Sequence, residues 1–269
     1  MKKFITLLLV LFVINVSAHE FWLQPDKFIY KKGEKVNIKF RVGENFEGDN
    51  WTGNRSKINF LTLYLNGVKT DISSALSDNN GDSLQYTLTQ EGTAMVVYNG
   101  LNSFIELDPA KFNAYLKEDG LRNVISYRQE HNETDSIGQE SYQRSVKTIL
   151  QIGSKYDSSF KQATSLPLDI IPLEHPHLIR DRQKMTVKVF FNKEPLPEQL
   201  IKIWYRENNK TSMEELLTDE NGIVSFKIKK SGSWMVSTVK MIRLDKDPKA
   251  NPIAIGWQSY WGSCTWGYQ

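Results

Sequence analysis

Cysteine is almost missing from this chain. Cys264 is the single one in 269 residues, so no intramolecular disulfide can form. Histidine is nearly as scarce, which confines any imidazole chemistry to His19, His131, His175 and His177. Charge of one sign is lacking too. The formal net charge is +3 and no basic run occurs, so nothing electrostatic argues for nucleic acid as a partner. After the first eighteen residues no apolar stretch approaches the ~20 residues of a spanning helix, so no membrane span is expected there. Several enzyme signatures are absent: a Gly-x-Ser-x-Gly elbow, a phosphate-cradling glycine loop and a His-Glu-x-x-His helix. The chain is therefore expected not to be an enzyme.

What is present begins at the N terminus. Lys2 and Lys3 supply a positive start, Phe4 to Ile14 is an almost unbroken apolar run, and Val16-Ser17-Ala18 places small residues where a signal peptidase reads. Residues 1–18 thus read as a removable signal peptide, and the mature protein is expected to begin at His19 in the periplasm or outside the cell. Losing Lys2 and Lys3 lowers the formal charge from +3 to +1. An exported protein without disulfides must rely on its cores, and the remaining length allows two domains.

Most of that length reads as strand. Val36, Ile38, Phe40 and Val42 alternate with polar residues, as do Leu61, Leu63 and Leu65 before an Asn66-Gly67 hairpin turn. Leu84, Tyr86 and Leu88 repeat the pattern, Met95 to Tyr98 adds an apolar strand, and Tyr142 to Ile152 looks like the strand closing a first domain. Asp108 as a cap, Pro109 in the first turn and Gly120 past the end predict a helix over Pro109–Glu118. A second helix is expected from Leu121 to about His131. Past the polar stretch 154–165, further strands are expected at Leu168–Ile171, Met185–Phe191, Ile201–Tyr205 and Val224–Ile228, with a turn at Thr218–Gly222. The fold class is therefore mainly β: two β-sandwich domains, 19–165 with a short helical insertion and 166–269.

The sharpest candidate site is His19. Cleavage before it leaves an α-amine and an imidazole on one residue, with ordinary pKa values of ~8 and ~6.5, and together they can chelate a borderline ion such as Cu(II) or Ni(II). Phe21 at the third position excludes the amino-terminal Cu/Ni site that needs a histidine there. Phe21-Trp22-Leu23 reads as core. His175-Pro-His177 is the second candidate, with Glu174 as a possible oxygen ligand; proline extends the backbone, so the two rings need not converge, and an exposed linking loop is the simpler reading. His131 reads as solvated. Cys264, set among aromatics in Trp261–Trp266, reads as a buried structural thiol rather than a nucleophile. The aromatic tail from Trp257 to Tyr268 fits either a sugar-stacking surface or a final strand with its rings turned inward.

Several of these segments, taken in order, resemble the NikM-like extracytoplasmic family, domain of unknown function family 4198. They are His19-Glu-Phe-Trp-Leu-Gln-Pro25, Val42-Gly-Glu-Asn-Phe46, Leu116-Lys-Glu-Asp-Gly120 and Tyr142-Gln-Arg-Ser-Val-Lys147. Leu168-Asp-Ile-Ile-Pro172, Thr218-Asp-Glu-Asn-Gly222, Gly232-Ser-Trp234 and Trp257-Gln-Ser-Tyr-Trp-Gly-Ser263 continue the series. The resemblance implies two β-sandwiches, the second similar to the transthyretin-like modules of carboxypeptidase regulatory regions. It also implies a link to nickel or cobalt uptake, and it carries one site residue, His19.

The leading expectation is an envelope protein that binds or delivers a transition metal ion (nickel, cobalt or copper), with an envelope transporter as a possible partner. Metal donors are expected at His19, His175 and His177. Two alternatives use the same residues differently. One is a metal-free glycan- or protein-binding envelope module. The other is a copper histidine-brace monooxygenase, which demands a second histidine folded close to His19. Fold alone does not choose among them.

Overall fold

The computed structural model describes residues 19–244 and 256–269; the expected signal peptide, 1–18, lies outside the described residues. The first strands are β1 (Glu20–Pro25), β2 (Ile29–Tyr30), β3 (Lys35–Glu44), β4 (Glu47–Asn50), β5 (Ile58–Leu65) and β6 (Val68–Asp71). Then come β7 (Ser83–Thr87), β8 (Gly92–Gly100), β9 (Ser103–Leu107), helices α1 (Pro109–Glu118) and α2 (Arg122–Glu130), and β10 (Gly138–Ile152). The second half holds β11 (Leu168–Pro172), β12 (Lys184–Phe191), β13 (Glu194–Pro195), β14 (Leu200–Glu207), β15 (Lys210–Leu217), β16 (Ile223–Lys227), β17 (Ser233–Arg243) and β18 (Trp257–Gly267).

Alternating sequence becomes one-faced strand where expected. In β3, Val36, Ile38 and Phe40 are buried while Lys35 and Lys39 are exposed. Asn66 and Gly67 take φ of 53° and 78°, the left-handed pair of a two-residue hairpin turn joining β5 to β6. Asp108 Oδ1 accepts from Lys111 N at 3.0 Å, capping α1, and Gly120 at φ 64° lets the chain leave the helix. Helix α1 then lies so close to the start of β10 that a Cβ on Gly138 would meet the Phe112 ring at 2.2 Å.

These strands build a central sheet with a smaller sheet on each face. Its order is β15-β14-β17-β18-β10-β8-β5-β6, with β2 and β9 also paired to β10. Strands β1, β3, β4 and β7 make one cover, and β11, β12, β13 and β16 make the other. Strand β8 shows why the middle must be apolar on both sides: Ala94, Val96 and Tyr98 join the core under the first cover, and Met95 and Val97 the core under the second. The molecule is thus mainly β with sandwich packing, as the alternation implies.

The central sheet runs past residue 165. Strand β10 pairs in parallel with β18, from Glu140 opposite Trp257 to Thr148 opposite Thr265. At that seam Lys147, fully buried, holds the Asp169 carboxylate at 2.5 Å, and Thr164 donates to the other carboxylate oxygen at 2.8 Å. The aromatic tail is the inner strand β18, with Trp257 and Trp266 buried. Cys264 is buried beside them, its thiol pushed up to about 12 by desolvation.

Candidate functional site

Strand β1 opens at His19, and its register with β3 decides what the imidazole faces. Glu20 stands opposite Gly43, which sets His19 against Glu44. The His19 Nε2 lies 3.6 Å from Glu44 Oε1, with both side chains nearly half exposed. That spacing is longer than a hydrogen bond and leaves both groups able to take a third partner. Glu44 is held by the hairpin that follows. Asn45 and Phe46 sit at φ 55° and 52° between β3 and β4, and the Phe46 ring packs edge-on against Trp22 at 5.5 Å. Burial of that ring offsets the strain of a left-handed phenylalanine. The strands close so tightly there that a Cβ on Gly43 would fall 2.2 Å from the Glu47 carbonyl.

Directly behind His19 is a set of buried charges. Lys202 Nζ lies 2.6 Å from Asp119 Oδ1, at the end of α1, and 3.9 Å from Glu20 Oε1. Desolvation raises the Glu20 carboxyl to about 7 although Lys202 pulls it back, and it raises Asp119 to about 6 against the same lysine. Burial opposes the charge on Lys202, but Asp119 more than offsets this and its pKa is raised. These three residues, with Thr238, Trp261 and Ser263, line a cavity of about 10 Å³, room for one water molecule.

A second buried acid stands on the other side of Trp261. Glu140 Oε1 accepts from Tyr115 Oη at 3.1 Å and from Ser259 Oγ, which itself accepts from Trp261 Nε1 at 3.1 Å. Its other oxygen, Oε2, has no hydrogen-bond partner among the described residues, and burial raises this carboxyl to about 7 despite the hydrogen bonds to Oε1.

His175 and His177 lie at the opposite end of β1. That strand runs alongside β18: Ser263 Oγ donates to the Phe21 carbonyl, Thr265 Oγ1 to that of Leu23, and Phe28 N to that of Gln269. His19 is therefore level with Trp261, whereas His175 and His177 surround Tyr268, whose Oη donates to the Pro176 carbonyl at 2.8 Å. Seven strand residues at ~3.3 Å each set the two ends roughly 20 Å apart, so the three histidines do not converge on one ion.

Both nitrogens of His175 are engaged. Nε2 is 2.8 Å from Thr93 Oγ1, and Nδ1 accepts from His177 N at 3.2 Å. His177 is buried rather than exposed, because the loop folds back under Tyr268; its ring nitrogens make no well-formed hydrogen bond among the described residues, and desolvation lowers its pKa to about 3. Glu174 Oε2 is taken by Thr186 N at 2.5 Å. His131 is exposed and stacks on Tyr127 with ring centroids 3.8 Å apart. Among the described residues, no three His, Cys, Asp or Glu side chains are grouped to hold a metal ion. The α-amine that cleavage would free at His19 lies outside that set.

Sequence reasoning missed Glu20, Asp119, Glu140 and Lys202. Asp119 and Glu140 stand beside other charged or polar residues in sequence, Glu20 follows the exposed His19, and Lys202 falls on the expected polar side of the alternating Ile201–Tyr205 strand, so none signals its burial locally.

No curated protein matches the chain. Among solved structures, the D0-D1 domain of intimin is similar at 11% identity, covering 91% of this chain and 97% of that one with a TM-score of 0.19. A DUF4785 family protein from Legionella pneumophila matches at 10% identity over 80% of this chain and 50% of its own, TM-score 0.22. The chicken CNTN1 FN1-FN3 domains match at 7% identity, covering 90% and 62%, TM-score 0.19. The sequence itself is more decisive: residues 16–241 match the domain of unknown function DUF4198, and the chain belongs to that family.

Proposed function

We propose that this is an exported envelope protein of the NikM-like kind. In this reading it binds or delivers a divalent transition metal ion (nickel, cobalt or copper) at its mature N terminus. The donors are the His19 α-amine, the His19 imidazole and the Glu44 carboxylate. Two nitrogens and an oxygen from one rigid strand pair suit a borderline ion, and the half-exposed position leaves room for a transporter to take the cargo. The observation that supports this reading is the β1–β3 register, which sets an exposed carboxylate beside the one imidazole that signal cleavage would join to a free amine. The amine chelates with Nδ1, so the exposed ring turns over from its 3.6 Å Nε2–Glu44 approach to bring all three donors to one ion. Residues 166–269 are read as the transthyretin-like module, with His175 and His177 as packing residues. A histidine brace is disfavoured because both of its would-be partners sit at the far end of β1.

Calorimetric titration of Cu(II) and Ni(II) into the mature chain tests this reading, beside a chain whose α-amine is acetylated and a Glu44→Gln variant. Acetylation is expected to weaken binding by orders of magnitude and Glu44→Gln by about tenfold or more. Equal binding by all three proteins overturns the assignment.

A further inference from the structure

Arg144 has no anion. It stands in the middle of β10, one strand from the sheet's centre line, with its guanidinium Cζ 4.4 Å from the Phe21 ring centroid and 5.5 Å from that of Tyr142. Among the described residues, no carboxylate or other acceptor pairs with it. A guanidinium held on two aromatic faces is geometrically fixed while its five N–H donors stay free to bind.

Arg144 lines an open cavity of about 270 Å³ whose other walls include Trp51, Tyr98 and Tyr142, with Asn54 and Lys57 toward the mouth. Among the described residues, neither aspartate nor glutamate lines it. Trp51 is set by edge-on packing against Phe21 at 5.8 Å and Tyr98 at 6.4 Å. The Trp51 Nε1–H and the Tyr98 and Tyr142 hydroxyls also have no hydrogen-bond partner among the described residues. Lys57 Nζ, exposed, bonds only the Asn102 carbonyl at 3.1 Å.

We propose that this cavity binds an acidic sugar: a uronate ring whose carboxylate meets the Arg144 guanidinium while its face lies on the Trp51 and Tyr142 rings. Three features favour it. A fixed guanidinium with no protein carboxylate recognises a carboxylate by two parallel hydrogen bonds. The aromatic walls take the C–H face of a ring. The free indole N–H and phenol hydroxyls match ring hydroxyls, which an apolar aromatic acid lacks, so binding such an acid would strand those polar groups. Because the mouth is open and carries Lys57, a further acidic unit of the same chain has a cation waiting. The site is independent of the metal reading, although Phe21, on which Arg144 stacks, is two residues along β1 from His19.

The test is calorimetry on the metal-free mature protein with a trigalacturonate probe, a neutral cello-oligosaccharide of equal length, and benzoate. The uronate is expected to bind and the neutral sugar to bind at least tenfold more weakly. Arg144→Gln should reduce uronate affinity tenfold or more. Tyr142→Phe, which keeps the ring against Arg144, should reduce it about fivefold with the near-ultraviolet circular dichroism unchanged. This variant keeps the test valid should Arg144→Gln fold poorly. Equal affinity for the neutral sugar, tighter binding of benzoate than of the uronate, no uronate binding, or insensitivity to Tyr142→Phe would each overturn the proposal.

Discussion

Replacing Glu140 by glutamine should stabilise this protein, and only above mildly acidic pH. Glu140 is 2% exposed, accepts from Tyr115 and Ser259 through one oxygen, and among the described residues has no cation within pairing distance. Burial raises its carboxyl from 4.5 to about 7, so the folded protein holds a proton that the unfolded chain has released. Stability therefore falls as pH rises from about 4.5 through about 7 and is level outside that window. At ~1.4 kcal/mol per unit, the penalty accumulated by pH 8 is about 3 kcal/mol. Glutamine can still accept from Tyr115 and Ser259 and carries no charge to desolvate. Urea unfolding of both proteins at pH 4, 5, 6, 7 and 8 gives the difference directly. Glu140→Gln should gain on the wild type progressively between pH 4.5 and 7, reaching about 3 kcal/mol, with no slope above pH 8. A difference that stays constant with pH, or grows toward acid, would refute the claim that burial keeps Glu140 protonated up to about pH 7.

Three other perturbations follow from the same geometry. Lys202→Ala should cost about 3–5 kcal/mol in urea unfolding at pH 8, because Asp119 and Glu20 are left buried without a cation; adding Asp119→Asn and Glu20→Gln should recover most of the loss. His177→Phe should reduce the loss of stability between pH 6.5 and 3, where the wild type weakens at up to ~1.4 kcal/mol per unit because the unfolded imidazole binds a proton that the buried one, at about 3, refuses; comparing the acid limbs of the two unfolding profiles checks this. Gly138→Ala should destabilise by about 1–3 kcal/mol by driving a methyl into Phe112, seen as a lower urea midpoint with loss of near-ultraviolet signal around α1.

What the sequence made legible was what local chemistry encodes. Strands β3 and β12 are solvated on one face, so their residues alternate. Helix α1 carries its own cap, proline and glycine, and its observed bounds are the expected ones. Strand β15 was invisible because it lies at an edge, is exposed along nearly its whole length and is held only by pairing with β14. The parallel seam of β10 with β18 could not be read either, since nothing in residues 140–148 specifies a partner more than a hundred positions away.

The site divides the same way. His19 stood out because cleavage before it would give it two nitrogens, whereas Glu44 became its neighbour only through strand register. Lys202 and Asp119 are 83 residues apart in sequence, and Ser259 and Glu140 are 119 apart, so their burial is a property of the fold. His175 and His177 depend on the fold too: a His-Pro-His motif suggests ligands or an exposed loop, whereas the His175 ring packs against Phe160 and the His177 ring is buried against Tyr268.

The central claim, a metal site made by the His19 amine, its imidazole and Glu44, is tested most directly by electron paramagnetic resonance of the mature protein loaded with one equivalent of Cu(II). The account predicts a signal with hyperfine splitting from two nitrogen donors that disappears when the His19 α-amine is acetylated and survives His175→Ala. A signal unchanged by acetylation, or one lost on His175→Ala, would contradict it.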